Sequence, residues 1–188
     1  MKNIIFTLFF ISIHCISQNN LIDNDSLKQG YWQLFFPYNS SVISEEGHFI
    51  NNQEDGVWIK YHENGQIREL SYYQKGKLDG VRIAISKHGR IYEQEVFKNN
   101  QYHGKQIYFH TTGKISAEEN FSNGVKDGLF FRYYSNGKKQ EEVLYSNGTK
   151  HGLAKWYFDN EQLSVLYNYE FGVIIDTAFT YYKDGFLK

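Results

Sequence analysis

The sequence predicts an all-β repeat protein, an elongated meander of stacked antiparallel β-hairpins with a 24-residue period. Three observations carry that prediction. Glycines recur at Gly56, Gly80, Gly104, Gly128 and Gly152, each 24 residues from the next. Every interval holds two further turn landmarks, several of them Asn-Gly pairs. The 188 residues include 16 Tyr, 15 Phe and 16 Gly against one Pro, a balance that suits strands joined by tight turns. A fixed period of this length marks a repeat architecture, in which one hairpin buries its apolar face only by stacking on its neighbours.

The elements follow in chain order. Residues 1–17 read as a secretory signal peptide: Lys2 gives a positive start, Ile4 to Ile13 is apolar, and Cys15 and Ser17 take small-residue places. Cleavage is expected between Ser17 and Gln18. The apolar run is too short to span a bilayer, so no transmembrane helix is expected after signal removal. A lipoprotein reading would place the anchor on Cys15, but His14 stands where such sites carry a small residue, so ordinary cleavage is preferred. Cys15 is the only cysteine, so the mature chain could form no disulfide framework and offer no thiol nucleophile.

Residues 18–29 form an N-terminal segment, and residues 30–188 the repeat domain. Its units start near Gly30, Gly56, Gly80, Gly104, Gly128 and Gly152, with a partial unit at Asp176. Gly30 lies 26 residues before Gly56, so the first unit carries a two-residue insertion, and it also holds Pro37. Within the units a second landmark recurs at Gly65, Gly89, Gly113, Gly137, Glu161 and Gly185. A third recurs at Gly76, Asn100, Gly124, Gly148 and Gly172, preceded by Lys75, Asn99, Asn123, Asn147 and Phe171. Asn-Gly suits a type I′ hairpin turn because both central residues need positive φ. Two turns per unit leave two strands of about six to seven residues, hence about a dozen strands in all.

Alternation then assigns faces. In the first strand of each unit, sets such as Val57-Ile59-Tyr61, Val81-Ile83-Ile85 and Leu129-Phe131-Tyr133 are apolar and are read as the core face. The second strands begin with Ile67, Ile91 and Ile115 and end with Tyr73, Phe97 and Phe121, positions that share a face in an unbroken strand. Glu69, Glu93 and Glu141 would then point inward unless a bulge re-aims them. The opposite face of the first strand presents aromatic residues among polar ones. It supplies the candidate partner-binding set: Trp58, Tyr108, Phe130, Arg132, Trp156 and Phe158. These side chains either stand exposed for a protein partner or a sugar, or they pack. Packing is the simpler reading, because Arg82 and Gln106 replace Trp58 in the next two units.

Other chemistry finds no support. The net charge is −1 with both signs interleaved and no basic run, which excludes a nucleic-acid partner on electrostatic grounds. There is no nucleophile elbow, phosphate loop or dinucleotide fingerprint, so no catalytic or cofactor-binding residue is assigned and the chain is not read as an enzyme. Asp55, Asp79, His103, Asp127 and His151 precede the first glycine of their units. Adjacent units should lie about 10 Å apart, too far for one metal ion to bridge, and an Asp there is expected to bond its own backbone in the turn.

The stretch "GVWIKYHENGQIRELSYYQKGKLDG", Gly56 to Gly80, resembles the variant MORN-type repeat of bacterial proteins, the repeat of the YwqK-like antitoxins. "GLFFRYYSNGKKQEEVLYSNGTKHG", Gly128 to Gly152, follows the same pattern, and the resemblance extends from Gly30 to Lys188. It implies an elongated sheet of hairpins used for binding. The expected function is therefore a non-catalytic protein, secreted or held in the periplasm or cell envelope, that binds a protein partner. The alternatives are an antitoxin or immunity protein, and a cell-surface carbohydrate-binding module.

Overall fold

The computed structural model describes residues 19–188. The signal-peptide reading of residues 1–17, with Cys15 and the cleavage point, lies outside the described residues. Those residues contain no helix and form one open antiparallel sheet of seventeen strands. Five strands are two-residue pieces. The remainder are the dozen expected, from Lys28–Phe36 and Asn39–Ile50 through to Thr149–Tyr157 and Leu163–Glu170. Every pairing joins strands close in sequence, so each unit touches only its neighbours.

The turns form for the reason read from sequence. Asn147 and Gly148 have φ of 47° and 83°, and the equivalent pairs Lys75-Gly76, Asn99-Asn100 and Asn123-Gly124 are also positive at both residues. These are type I′ turns, which match the right-handed twist of the strands they join. The turns also stack. Gly76 N–H donates to Glu54 O at 2.8 Å, and Gly148 N–H donates to Lys126 O at 2.7 Å, each reaching the preceding unit. Asp55, Asp79 and Asp127 do not bond their own backbone. Each accepts the backbone N–H twenty residues on, from Lys75, Asn99 and Asn147, at 3.2 to 3.4 Å. On the opposite edge, His62 and His110 bond the backbone oxygens of Ile85 and Tyr133, and the Tyr134 hydroxyl donates to Tyr157 O. Both rims of the sheet are thus tied from unit to unit.

Bulges correct the assignment of faces in the second strands. Lys60 pairs with Glu69, but Tyr61 pairs with Ile67, leaving Arg68 as an extra residue. The same shift recurs at Ala84/Ile85 and Arg132/Tyr133. One extra residue reverses the alternation. Ile67 and Tyr73 therefore lie on opposite faces, while Glu69 points inward with Tyr73.

The core face is also the reverse of the one expected. Trp58 is 2% exposed, Phe130 5% and Ala154 0%, whereas Val57 is 56% exposed, Val81 44% and Leu153 53%. Among the described residues no second layer covers the valine and leucine face. The buried face covers itself, with side chains packed along the sheet. Its apolar part falls into two clusters: Trp32, Phe49 and Trp58 near the start, and Phe130, Val143 and Ala154 near the end.

Candidate interaction surface

The buried face is best followed as one row across the strands. Cross-strand partners run Trp58 to Ser71, Ser71 to Arg82, Arg82 to Glu95, Gln106 to Glu119, Phe130 to Val143, and Ala154 to Tyr167. Gly47 stands beside Trp58 at the head of the row, and a Cβ there would lie 2.4 Å from the indole ring. The row is aromatic at both ends and ionic between them.

The ionic centre is closely paired. Glu69 accepts Lys60 Nζ at 3.0 Å and Arg82 Nε at 2.9 Å, and Arg82 also contacts Glu93 at 3.2 Å and the buried Glu95. The Tyr102 hydroxyl donates to Glu95 at 2.7 Å, and Lys126 pairs with Glu119 at 2.9 Å. Gln106 is wholly buried, and its amide bonds both the N–H and the carbonyl of Val96. Burial opposes the charge on Glu69, but Lys60 and Arg82 outweigh it and hold the carboxyl below its ordinary range. Burial, reinforced by Glu119 and Glu95, pushes the Tyr108 phenol up to about 12. Tyrosines in this state stay protonated at neutral pH and serve as hydrogen-bond donors, not as bases or nucleophiles. Ser71 Oγ, 3% exposed, finds no partner. No group of three or more metal-ligating side chains is placed to hold an ion among the described residues.

The opposite face behaves in the contrary way. Over the central strands Val57 faces Tyr72, Ile59 faces Leu70, Leu70 faces Ile83, and Val81 faces Val96. Val57, Tyr72 and Val81 are 56%, 45% and 44% exposed. Between them runs a trough of about 410 Å³ lined by Val57, Leu70, Tyr72, Gly80, Val81 and Ile83. Further along, this face carries Glu118, Asn120, Glu142 and Lys155, opposite Ile107, Lys105, Phe131 and Leu166. The open face keeps exposed leucines there as well, Leu129, Leu144 and Leu153, but they are interspersed with Glu142 and Lys155, whereas the apolar residues around Tyr72 and Val81 are contiguous.

The candidate residues read from sequence do not form one surface. Trp58 and Phe130 are buried in separate clusters, and Trp58 Nε1 donates to His48 O at 3.1 Å. Tyr108 lies in the ionic centre between them. Trp156 is half-buried in the second cluster, with Lys150 Nζ 5.3 Å from its ring, and Phe158 is half-buried beyond the strand end. Arg132 is exposed, 3.7 Å from Glu141 and over the Phe130 ring. The apolar strip around Tyr72 and Val81 was missed as a surface. Its signal was present in the sequence, because Arg82, Glu95 and Gln106 on one face leave the valines and isoleucines of those units for the other.

Four segments, residues 54–75, 102–123, 126–147 and 150–171, match the family described as MORN repeat variant. Over these segments the chain is similar to MORN-type repeats, and each matched segment closes at the first central residue of a turn with positive φ at both central residues. The unmatched interval between residues 75 and 102 holds Arg82, Glu93 and Glu95, the heart of the ionic centre. No curated protein matches the chain.

Proposed function

We propose that this chain is an exported, non-catalytic binding protein that holds a protein partner against the strip around Tyr72 and Val81. One observation carries the reading. Val57, Leu70, Tyr72, Val81 and Ile83 form a contiguous apolar surface on the open face of the sheet. Contiguous exposed apolar surface of this kind marks protein contact sites. MORN-type repeats suit this role as a non-catalytic repeat framework. The test is capture from the native envelope with the tagged chain and with a Val81→Arg chain. The strip reading expects the same partner to be retained by the first and lost by the second. Equal capture by both would refute it. Mass measurement of the native protein tests export, with a start near Gln18 expected.

The resemblance to YwqK-like antitoxin repeats supports a second reading, an immunity protein that neutralises a toxin. Co-expression with the product of a neighbouring gene tests it, and growth rescued by the parent chain but not by Val81→Arg would join the two readings. A glycan partner would rest on Tyr108, Trp156 and Phe158 instead, and its binding would survive Val81→Arg.

A further inference from the structure

We propose that the apolar strip is a two-fold interface, and that its occupant is a second copy of this chain. The inference rests on the reading of the strip as a contact surface and names what it contacts.

A sheet with one apolar face buries it against another layer. Among the described residues the chain supplies none over the strip. A second sheet fits the requirement, since two apolar sheet faces pack about 10 Å apart with their strands nearly aligned. The surface also has the relief that self-packing needs. Tyr72 stands up as a ridge, and the trough beside it follows the bare backbone at Gly80, where even a Cβ would lie 3.0 Å from Tyr72 Cβ. A two-fold axis parallel to the strands, between Ile67–Gln74 and Lys77–Ile85, sets the Tyr72 ridge of each copy over the Val81 row of the other.

One flank of the strip carries an acidic and the other a basic side chain, each also engaged within its own copy: the Tyr61 hydroxyl donates to Glu46, and Lys105 pairs with Glu118. On the near side, strand Asn39–Ile50 turns Glu46 to the open face opposite Ile59. On the far side, strand Gly104–Phe109 turns out Lys105, whose side chain is 52% exposed and 3.6 Å from Glu118. The same axis lays the Glu46 strand of one copy over the Lys105 strand of the other, in both halves of the pair. A like-handed stacking without the axis would match neither flank to its opposite.

The area sets the strength. Six strands, three on each side of the axis, at about 4.8 Å spacing and about seven residues long give roughly 650 Å² of sheet per copy. The pair then covers about 1,300 Å², near the lower limit for a specific interface, so dimerisation should be concentration-dependent and of micromolar order.

Sedimentation velocity over a concentration series of the exported chain tests this. A reversible monomer–dimer equilibrium is expected. Tyr72→Glu and Val81→Arg should each raise the dissociation constant at least tenfold, and Lys105→Glu severalfold. Leu153→Arg, exposed on the same face but outside the strip, should leave it unchanged. Circular dichroism and melting temperature check that each variant is folded. As a measure that needs no loss of function, Tyr72→Cys chains mixed with Val81→Cys chains should be joined by a short bis-maleimide cross-linker, since sheets about 10 Å apart hold the two sulfurs beyond direct disulfide reach. A chain that stays monomeric at its highest soluble concentration overturns the proposal, as does dimerisation indifferent to Val81→Arg in a folded protein. If a monomeric chain captures a different protein through the strip, the dimer fails while the binding role stands. If capture too is indifferent to Val81→Arg, both fail.

Discussion

Arg82 and Glu95 face each other across two strands of the central units, and Phe130 and Val143 face each other in the same register two periods later. The backbone is the same in both places. The bulge at Ala84/Ile85 has its counterpart at Arg132/Tyr133, and the turns at Asn99-Asn100 and Asn147-Gly148 share positive φ. One pair is ionic and linked to Glu69 and Glu93; the other is apolar and linked to Ala154. The repeat frame is set by rims and turns, while each patch of the face is filled independently. The open face is apolar in both places: Val81 is 44% exposed and Leu129, its counterpart two periods later, 43%.

The strongest way to break the comparison is to exchange the fillings singly. Phe130→Arg would bury a cation beside Val143 and Ala154 and should destabilise the fold by about 3–5 kcal/mol in urea unfolding. Arg82→Ala should cost about 2–4 kcal/mol, because Glu69, Glu93 and the 3% exposed Glu95 lose a shared cation. The paired exchange sharpens the point. Arg82→Phe with Glu95→Val copies the later unit, and it should recover most of that loss, since well-packed apolar replacements of buried ion pairs are often neutral. A double variant as unstable as Arg82→Ala would show that the two patches are not interchangeable.

Gly47→Ala tests the first aromatic cluster against the ionic centre. Its Cβ meets the Trp58 ring at 2.4 Å, so a cost of about 1–3 kcal/mol is expected, together with altered tryptophan fluorescence. Gly148→Val tests the shared frame. A β-branched residue at φ 83° should cost about 1–2 kcal/mol, whereas Thr149→Ala beside it should stay within about 0.5 kcal/mol. Hydrogen exchange should quicken most from Asn136 to Trp156, because units touch only their neighbours.

Acid separates the two regions most gently. The folded carboxyl of Glu69 titrates below its unfolded value, so its contribution is complete above that unfolded value, about 4.3, and is lost as pH falls through the lower folded one. Amide protection should therefore fall first around Glu69 and Arg82, and later around Phe130 and Val143. Simultaneous loss in both regions would mean that the ionic centre does not govern the acid limb.

The legible part of this molecule was local. The 24-residue period, the dozen strands and the type I′ turns at Asn123-Gly124 and Asn147-Gly148 could be read from sequence, because Asn-Gly tolerates positive φ at both residues; at Asn64-Gly65 and Asn136-Gly137 only the glycine is positive, so those Asn-Gly pairs form a different turn. Alternation alone left the direction of Glu69 open, because it put Glu69 on one face with both Ile67 and Tyr73, and the structure separates Ile67 from the other two. The bulge at Arg68 was not legible, because no residue type there demands it; it appears only when two strands are paired.

The repeat, the places of the turns and the two alternating sets of side chains are written in the residues. Which set is covered is settled when the strands pair and stack. In a single-layer sheet both sets are offered to solvent until side chains on one face cover one another, as Trp58 covers Gly47 and Phe130 packs on Val143 across neighbouring strands. Burial of one face is therefore a property of the stacked array, and no single 24-residue unit carries it.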